Sequence, residues 1–384
     1  MKIAIDGNEA NVKEKVGVSV YTFQLLLYFQ KNSSKDTEFI IFLKNKPLKS
    51  LPLENEYFKY EVVPGSILWS QTSLPFRLYQ SKFLKQKIDV FFSPAHYSPR
   101  LSPFNTIVTI HDLSYYYYPN EFLKKDLYKL KNWTKYSVNN AKNIIAVSKT
   151  TKKDIIKFYN IQEDKIKVIY NGYEKKIKHN INNKKELLKS RFNINNPYIL
   201  HVGTLQPRKN IILLIKAFSE FKKRYEEYRL VLVGKKGWMF KDIFKQVKDM
   251  GLQNDIVFTG YIPDRELQML YENAFCFVLP SFYEGFGIPI LEAMSNNCPV
   301  ISSFSSSLPE IGGNACLYFN PNNKNELVEK LNIMVKKPET RKVLINKGKE
   351  RVKMFSWEKC SKETLELLKL LSTESKTTNP NKEV

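Results

Sequence analysis

Apolar positions in the first half of the chain fall into short runs separated by longer amphipathic stretches. The runs Lys2–Ile5, Phe39–Leu43, Val90–Phe92, Ile107–Ile110, Asn143–Val147 and Lys167–Ile169 are mostly continuous rather than alternating. Continuity of that kind predicts strands buried on both faces. Helical stretches such as Ser19–Phe29 lie between several of them, so the alternation predicts parallel βαβ units in a doubly wound sheet. Around Tyr173–Asn196 the pattern collapses into Lys, Asn and Ile without a period, and an interdomain linker is expected there. A second series follows, with strands expected over Tyr198–Val202, Arg229–Val233, Ile256–Thr259, Phe275–Leu279 and Val300–Ser302. Its helices are expected over Leu213–Tyr225, Phe240–Met250, Asp264–Ala274 and Ile288–Ser295. Two open α/β halves bind ligands at the carboxyl ends of their strands, so a ligand cleft is expected on that side. The polar stretch 373–384, which contains Pro380, is expected to be disordered.

Composition adds a partner to this picture. A chain of 384 residues exceeds one ordinary core, and 43% hydrophobic with 13% aromatic residues supplies material for two. The formal net charge of +23 implies an anionic partner: nucleic acid, an acidic lipid surface or a phosphorylated substrate. The lysines at 124, 125, 129, 131, 135 and 142 face a single acid, Asp126, and follow the tyrosines 115–118. Such a helix suits anionic lipid, and equally suits a solvated face above a packed tyrosine core. Arg77, Lys82, Lys85 and Lys87, around Phe76 and Phe83, form a smaller patch of the same kind. Cys276, Cys298, Cys316 and Cys360 show no CxxC spacing and read as buried free thiols, which suits a reducing cytoplasm. The chain starts directly as a strand without a leader pattern, and no run approaches the ~20 apolar residues of a membrane span. A cytoplasmic protein is expected, peripheral at most to the inner face of the cell membrane.

The candidate chemistry gathers in Pro280–Met294, where the apolar run Ala274–Leu279 meets Gly285-Phe286-Gly287 and then a helical pattern. Strand, glycine turn and helix N-terminus present backbone N–H groups and a positive dipole end, a setting for a diphosphate. Glu284 lies on the turn, within reach of a reacting group. Glu292, just over one helical turn further, can accept two hydrogen bonds from a diol such as a ribose. Gly203-Thr-Leu-Gln-Pro-Arg-Lys-Asn210 also follows a strand, and Arg208 and Lys209 place two cations where a diphosphate would lie. A diphosphate leaving group gains charge as its bond breaks, so fixed cations favour the transition state. His111 and Asp112 end another apolar strand, a position suited to function. No two histidines have ligand spacing, so no metal site is expected.

Pro-Ser-x-x-Glu-Gly-Phe-Gly-x-Pro-x-Leu-Glu-Ala-Met, followed by Pro299-Val-Ile301 and Ser306-Ser-Leu-Pro-Glu310, resembles the donor site of retaining glycosyltransferases of family 4, which have the GT-B fold. Gly203–Asn210 resembles the family's Gly-x-x-x-Pro-Arg-Lys-Asn element, with Thr204 where many relatives carry Arg. The resemblance implies two Rossmann-like domains facing a central cleft. These are an acceptor domain over 1–180 completed by a returning helix over 356–372, a linker over 181–196, and a donor domain over 197–355. It further implies that His111 contacts the donor sugar near the reacting carbon, and that the segment at Tyr261 holds the nucleobase. Ser307 and Leu308 would lie near the diphosphate, and Gly17, in a glycine loop, near the donor phosphates or the acceptor. Ser19 stands where a second glycine is common.

The expected activity is therefore retaining transfer of a sugar from a nucleotide diphosphate sugar to a lipid-linked or polysaccharide acceptor, without cofactor or metal. Arg208, Lys209, Glu284 and His111 would carry the reaction. Gly203, Gly285, Phe286, Gly287 and Glu292 would hold the donor. The Ile-His-Asp-Leu and Ser-Ser-Leu-Pro-Glu elements resemble mannosyltransferases of surface polysaccharide assembly, which implies mannose. A nucleotide-sugar epimerase or hydrolase on the same fold is one alternative. A basic nucleic-acid-binding protein is another, although no aromatic–basic recognition pattern is present.

Overall fold

The computed structural model describes residues 1–65, 68–84, 86–174 and 184–377. It separates into two compact units, the first comprising Met1–Tyr117, Leu123–Gly172 and the chain from Ser356, the second Tyr118–Phe122 and Tyr173–Phe355.

Unit 1 is built on seven parallel strands: β1 (Lys2–Asp6), β2 (Glu38–Leu43), β3 (Phe58–Val62), β4 (Val90–Ser93), β5 (Thr106–Ile110), β6 (Asn143–Ala146) and β7 (Ile166–Val168), in the order β3-β2-β1-β4-β5-β6-β7. Unit 2 has six: β8 (Tyr198–Val202), β9 (Arg229–Val233), β10 (Ile256–Gly260), β11 (Cys276–Leu279), β12 (Val300–Ser303) and β13 (Cys316–Phe319), ordered β10-β9-β8-β11-β12-β13. Both sheets are doubly wound, as the alternating pattern predicts. The continuous apolar runs are buried through both faces: every residue of β4, β5, β11 and β12 is inaccessible or nearly so. Alternate residues of β8 feed two cores, Ile199 joining one cluster and Tyr198 and Leu200 the other.

The last helix, Trp357–Thr377, returns to unit 1, where Cys360, Leu365, Leu368 and Leu371 pack with β1, β2 and the helix Val18–Lys31. Ser356 caps it, its hydroxyl accepting from the Lys359 N–H at 3.1 Å. Gly172 lies flat against the start of that helix, where a Cβ would fall 2.2 Å from the Trp357 nitrogen. Asn297 takes a left-handed conformation (φ 57°) just past the helix Ile288–Ser295, a place where asparagine can stand in for glycine.

Two expectations need correction. Within the stretch expected to be linker, Lys184–Phe192 is a helix whose Leu188 enters the unit 2 core beside Ile194. One small buried face suffices there, and its few apolar positions leave almost no periodic signal. The final helix also runs on to Thr377, through the start of the stretch expected to be disordered. Residues 175–183 and 378–384, which belong to the same two expectations, lie outside the described residues.

Candidate functional site

In unit 2 the strand order reverses between β8 and β11, which opens a crevice at their carboxyl ends. The two strands pair only at Cys276↔Ile199 and Phe277↔Leu200. Beyond that point the His201 side chain takes over, its Nδ1–H donating to the Val278 carbonyl at 3.0 Å. The 3₁₀ turn Pro207–Lys209 then projects Arg208 and Lys209. Asn210 fixes that turn with a left-handed backbone (φ 55°) and side-chain bonds to the carbonyls of Pro280 (3.1 Å) and Pro321 (2.7 Å).

These bonds bring the cations onto Glu284, which is 9% exposed. Its Oε1 accepts from Lys209 Nζ at 2.5 Å and from the Ser281 hydroxyl at 2.7 Å, and its Oε2 lies 3.7 Å from Arg208. Burial pushes the Glu284 carboxyl up, but the charges of Lys209 and Arg208 and the two hydrogen bonds outweigh it, so it titrates below the ordinary range. Arg208 donates from Nη1 to the Tyr283 carbonyl (2.7 Å), while its buried Nε–H has no acceptor. Two cations share one carboxylate here, away from water, with a donor to spare. That arrangement suits a further anion with several oxygens.

The glycine turn is held from behind. Gly287 starts the helix Ile288–Ser295 at φ 108°, and a Cβ there would meet Leu308 at 2.8 Å. The Ser307 hydroxyl donates to the carbonyls of Glu284 (2.9 Å) and Phe286 (2.8 Å), and Ser306 accepts the Glu284 N–H (2.8 Å). Ser307 and Leu308 are fully buried, so their side chains shape the turn from beneath. Gly285 is buried too, and Phe286 packs edge-on against Phe355. Glu292 accepts from the Tyr271 hydroxyl at 2.9 Å, which orients its carboxyl toward the helix Asp264–Asn273. Tyr261 stands apart, half-exposed after the edge strand β10, with the Lys235 ammonium 4.6 Å from its ring centroid. The structure thus gathers Gly203, Arg208, Lys209, Glu284 and the Gly285–Gly287 turn around one crevice.

In unit 1 the order reverses between β1 and β4. His111 follows β5, 9% exposed, with its Nε2–H donating to the Pro94 carbonyl at 2.8 Å and the Tyr21 ring T-shaped to its own, centroids 4.9 Å apart. Burial lowers its pKa to about 3, with the neighbouring His96 adding to the effect, so the ring is neutral and Nδ1 keeps its lone pair. Asp112 instead caps the short helix Ser114–Tyr117, accepting from the Ser114 N–H (2.9 Å) and hydroxyl (2.7 Å). Gly17 precedes the helix Val18–Lys31 at φ 51° with open space where a Cβ would point. Conformation, rather than crowding, requires glycine there.

Three further groups escaped the sequence reading. His201, within β8, is fully buried beside Gly203, and its Nε2 has no partner. Ser281 lies three positions before Glu284, a spacing that signals a local side-chain bond. In unit 2, Glu121 accepts the Arg208 backbone N–H while Tyr118 stacks on Phe282 (centroids 6.3 Å, 25°). Only the fold brings that segment to Arg208, so no local pattern could have found it.

Residues 17–176 match the family model for glycosyltransferase family 4, and residues 182–351 the model for glycosyl transferases group 1. The O-antigen chain mannosyltransferase B of Escherichia coli is 40% identical over 179 residues, 45% of this chain and 46% of that protein. The O-antigen chain mannosyltransferase RfbU of Salmonella typhimurium is 33% identical over 221 residues, 57% of this chain and 58% of its own. The matched segments therefore span about half the length of these curated relatives. Among solved structures, the sucrose-phosphate synthase of Thermosynechococcus elongatus superposes with a TM-score of 0.74 at 19% identity, covering 97% of this chain and 99% of that one. Anabaena HepE in complex with UDP and glucose gives 0.70 at 17% identity, over 96% and 99%.

Proposed function

This chain belongs to glycosyltransferase family 4 and has the GT-B fold, and from that premise we propose that it is a retaining glycosyltransferase. It transfers mannose from a nucleotide diphosphate sugar, GDP-mannose, to a lipid-linked or polysaccharide acceptor. The observation that carries this reading is the buried Arg208–Lys209–Glu284 cluster at the β8/β11 reversal. When the bond between the anomeric carbon and the phosphate oxygen breaks, the electron pair leaves with the diphosphate. Arg208, with its unpartnered Nε–H, and Lys209 stabilise that charge without needing a divalent ion. Glu292, held by Tyr271, binds the ribose diol, and Glu284 orients the sugar. His111, neutral and with Nδ1 free, supports the charge-deficient carbon. Mannose is favoured because the two curated relatives above are both named as mannosyltransferases. Retention rests on family membership.

The acceptor reading includes a peripheral membrane contact. Among the described residues no helix is long and apolar enough to cross a membrane. Phe76 (67% exposed) and Phe83 (84%) stand on the helix Ser73–Phe83, and the lysines of Lys124–Asn140 line a second surface. Lys85 lies outside the described residues. Tyr115, by contrast, is buried and Tyr116 stacks on Phe158, while Tyr117 is 40% exposed, so only part of the tyrosine run is open to an interface. Sedimentation with phosphatidylglycerol vesicles but not phosphatidylcholine vesicles is the expected result.

The donor reading is tested by thermal shift with UDP-, GDP- and ADP-sugars, with and without EDTA, on the wild type and Glu292→Ala. GDP-mannose is expected to stabilise the wild type in EDTA and the variant far less. Folded protein that shifts with none of the donors would sink the proposal.

A further inference from the structure

At the carboxyl ends of β12 and β13, unit 2 carries a hollow of about 560 Å³ that the transfer reading leaves unused. That volume is within the usual range of small-molecule sites, roughly 300–1,000 Å³. Phe304 follows β12 directly, and its N–H donates to the Phe319 carbonyl at 2.7 Å, which extends the pairing with β13. Its ring is nevertheless 66% exposed, and the half-buried Tyr318 ring stands near perpendicular to it (81°) with centroids 5.7 Å apart. The turn 320–322 supplies amides to the same hollow. Asn320 Oδ1 accepts the Asn322 N–H at 2.9 Å, whereas the Asn320 side-chain NH₂ and the Asn322 carboxamide make no bond among the described residues. Glu326 is committed to the wall, its carboxylate accepting the Asn320 N–H (2.8 Å) and the Asn323 side-chain amide (2.9 Å).

We propose that this hollow is a non-catalytic sugar-binding site, in which the Phe304 ring carries one pyranose of a neutral hexose oligomer and the Asn320 and Asn322 amides bond its hydroxyls. An exposed aromatic face takes the apolar C–H side of a pyranose, and a carboxamide both donates to and accepts from hydroxyls. Among the described residues no lysine or arginine lines the hollow, and its one carboxylate is already bonded. Nothing there selects a charged ligand, although the whole chain carries +23. The walls are also bonded to the donor crevice. The Pro321 carbonyl accepts, at 2.7 Å, from the Asn210 side chain that fixes the turn of Arg208 and Lys209. Ser303 and Ser305, on either side of Phe304, both donate to the Ser281 carbonyl (2.6 and 2.8 Å), and the Ser281 hydroxyl donates to Glu284. A sugar chain in the hollow therefore lies against the same framework that holds the donor charges. The inference goes beyond the transfer reading, which supplies only the choice of mannose as a probe.

Full-length protein is titrated by calorimetry with an α-linked mannotriose and, separately, with maltotriose, and GDP-mannose binding is followed in the same samples by thermal shift. Phe304→Ala changes an exposed position and is expected to fold normally. It should weaken the bound oligomer about five- to tenfold, as loss of one aromatic contact does. Phe304→Trp should restore the affinity, and its added indole fluorescence should shift to the blue and saturate with the sugar. Asn322→Ala should weaken binding about threefold. GDP-mannose is expected to shift the wild type and all three variants alike. A wild type that binds neither oligomer, or a Phe304→Ala variant that binds as the wild type does, overturns the site, and a GDP-mannose shift in those samples leaves the donor reading standing. Oligomer binding that depends on Phe304, with no shift by any donor, upholds the site and sinks the transfer reading instead. A concentration-dependent dimer of the wild type that Phe304→Ala abolishes, read by analytical ultracentrifugation, would give the hollow to a second copy of the chain and overturn the sugar site.

Discussion

At the β8/β11 reversal two cations and a carboxylate are locked together away from water. At the β1/β4 reversal two imidazoles kept neutral by burial, His96 and His111, lie with ring centroids 5.5 Å apart. Both places arise the same way, from a doubly wound sheet whose strand order turns back on itself. The side chains that follow each strand decide the rest. A crevice is supplied by topology, but the sign of what it binds is written in four or five residues. The first crevice holds its charges fixed and paired, while the second keeps its imidazoles uncharged.

The sharpest way to break this comparison is to empty the charged crevice. Glu284→Ala leaves Lys209 and Arg208 desolvated and unpaired, and should cost unit 2 about 3–5 kcal/mol as well as all transfer. Calorimetry that finds the unit 2 transition unmoved would show that the pair is not part of its stability. Arg208→Ala should lower kcat about 10²–10³-fold, as loss of a group aimed at developing charge does. His111→Ala, which removes one neutral contact, should cost about tenfold. Equal losses in the two variants would erase the distinction between the crevices.

A subtler pair of effects appears with pH. His111 and His201 titrate at about 3 and about 4 in the folded chain because both are buried. Each therefore contributes stability that is fully present above the unfolded value of about 6.5 and lost as pH falls toward the folded one. His201→Asn retains a donor for the Val278 carbonyl and should flatten the acid limb of the unit 2 melting curve. Asp6, raised to about 7, acts in the opposite sense: its contribution is present below about 4 and is lost as pH rises through 7. Asp6→Asn should remove that neutral-side loss from unit 1, and an unchanged profile would place Asp6 in water. Smallest of all, Lys131→Gln removes a cation 5.2 Å from the Tyr116 ring centroid and should cost about 0.5–1 kcal/mol, read as a small drop in midpoint.

The fold was legible where strands are buried through both faces. Runs such as Ile107–Ile110 and Phe275–Leu279 admit little else, and the structure has strands at both, the second starting at Cys276. Two of the four edge strands were not. Phe58–Val62, with only Phe58 fully buried, and the short Cys316–Phe319 carry too few apolar positions to stand out from loop. Among site residues, Arg208, Lys209 and Glu284 could be placed together because each sits directly after a strand, and strand ends converge in such sheets. The sequence reading could not see that Ser307 would turn inward to bind two carbonyls, nor that Tyr271 would hold Glu292. Those are contacts between elements, set by packing rather than by local pattern. His201 escaped notice for a related reason: its position within β8 is that of a core residue, and only the parting of β8 from β11 gives it a polar task.

The returning helix also carries a consequence for how the chain is made. Leu365, Leu368 and Leu371 are wholly or almost wholly buried in one cluster with residues from the first 60 positions and from β4, so unit 1 is not contiguous along the polypeptide. A ribosome working from the amino end finishes unit 2 before it has released the last wall of unit 1. Until then β1, β2 and the helix Val18–Lys31 wait with an apolar face uncovered. The unit that begins first is completed last, and during synthesis its early segments are the ones most in need of shelter from aggregation.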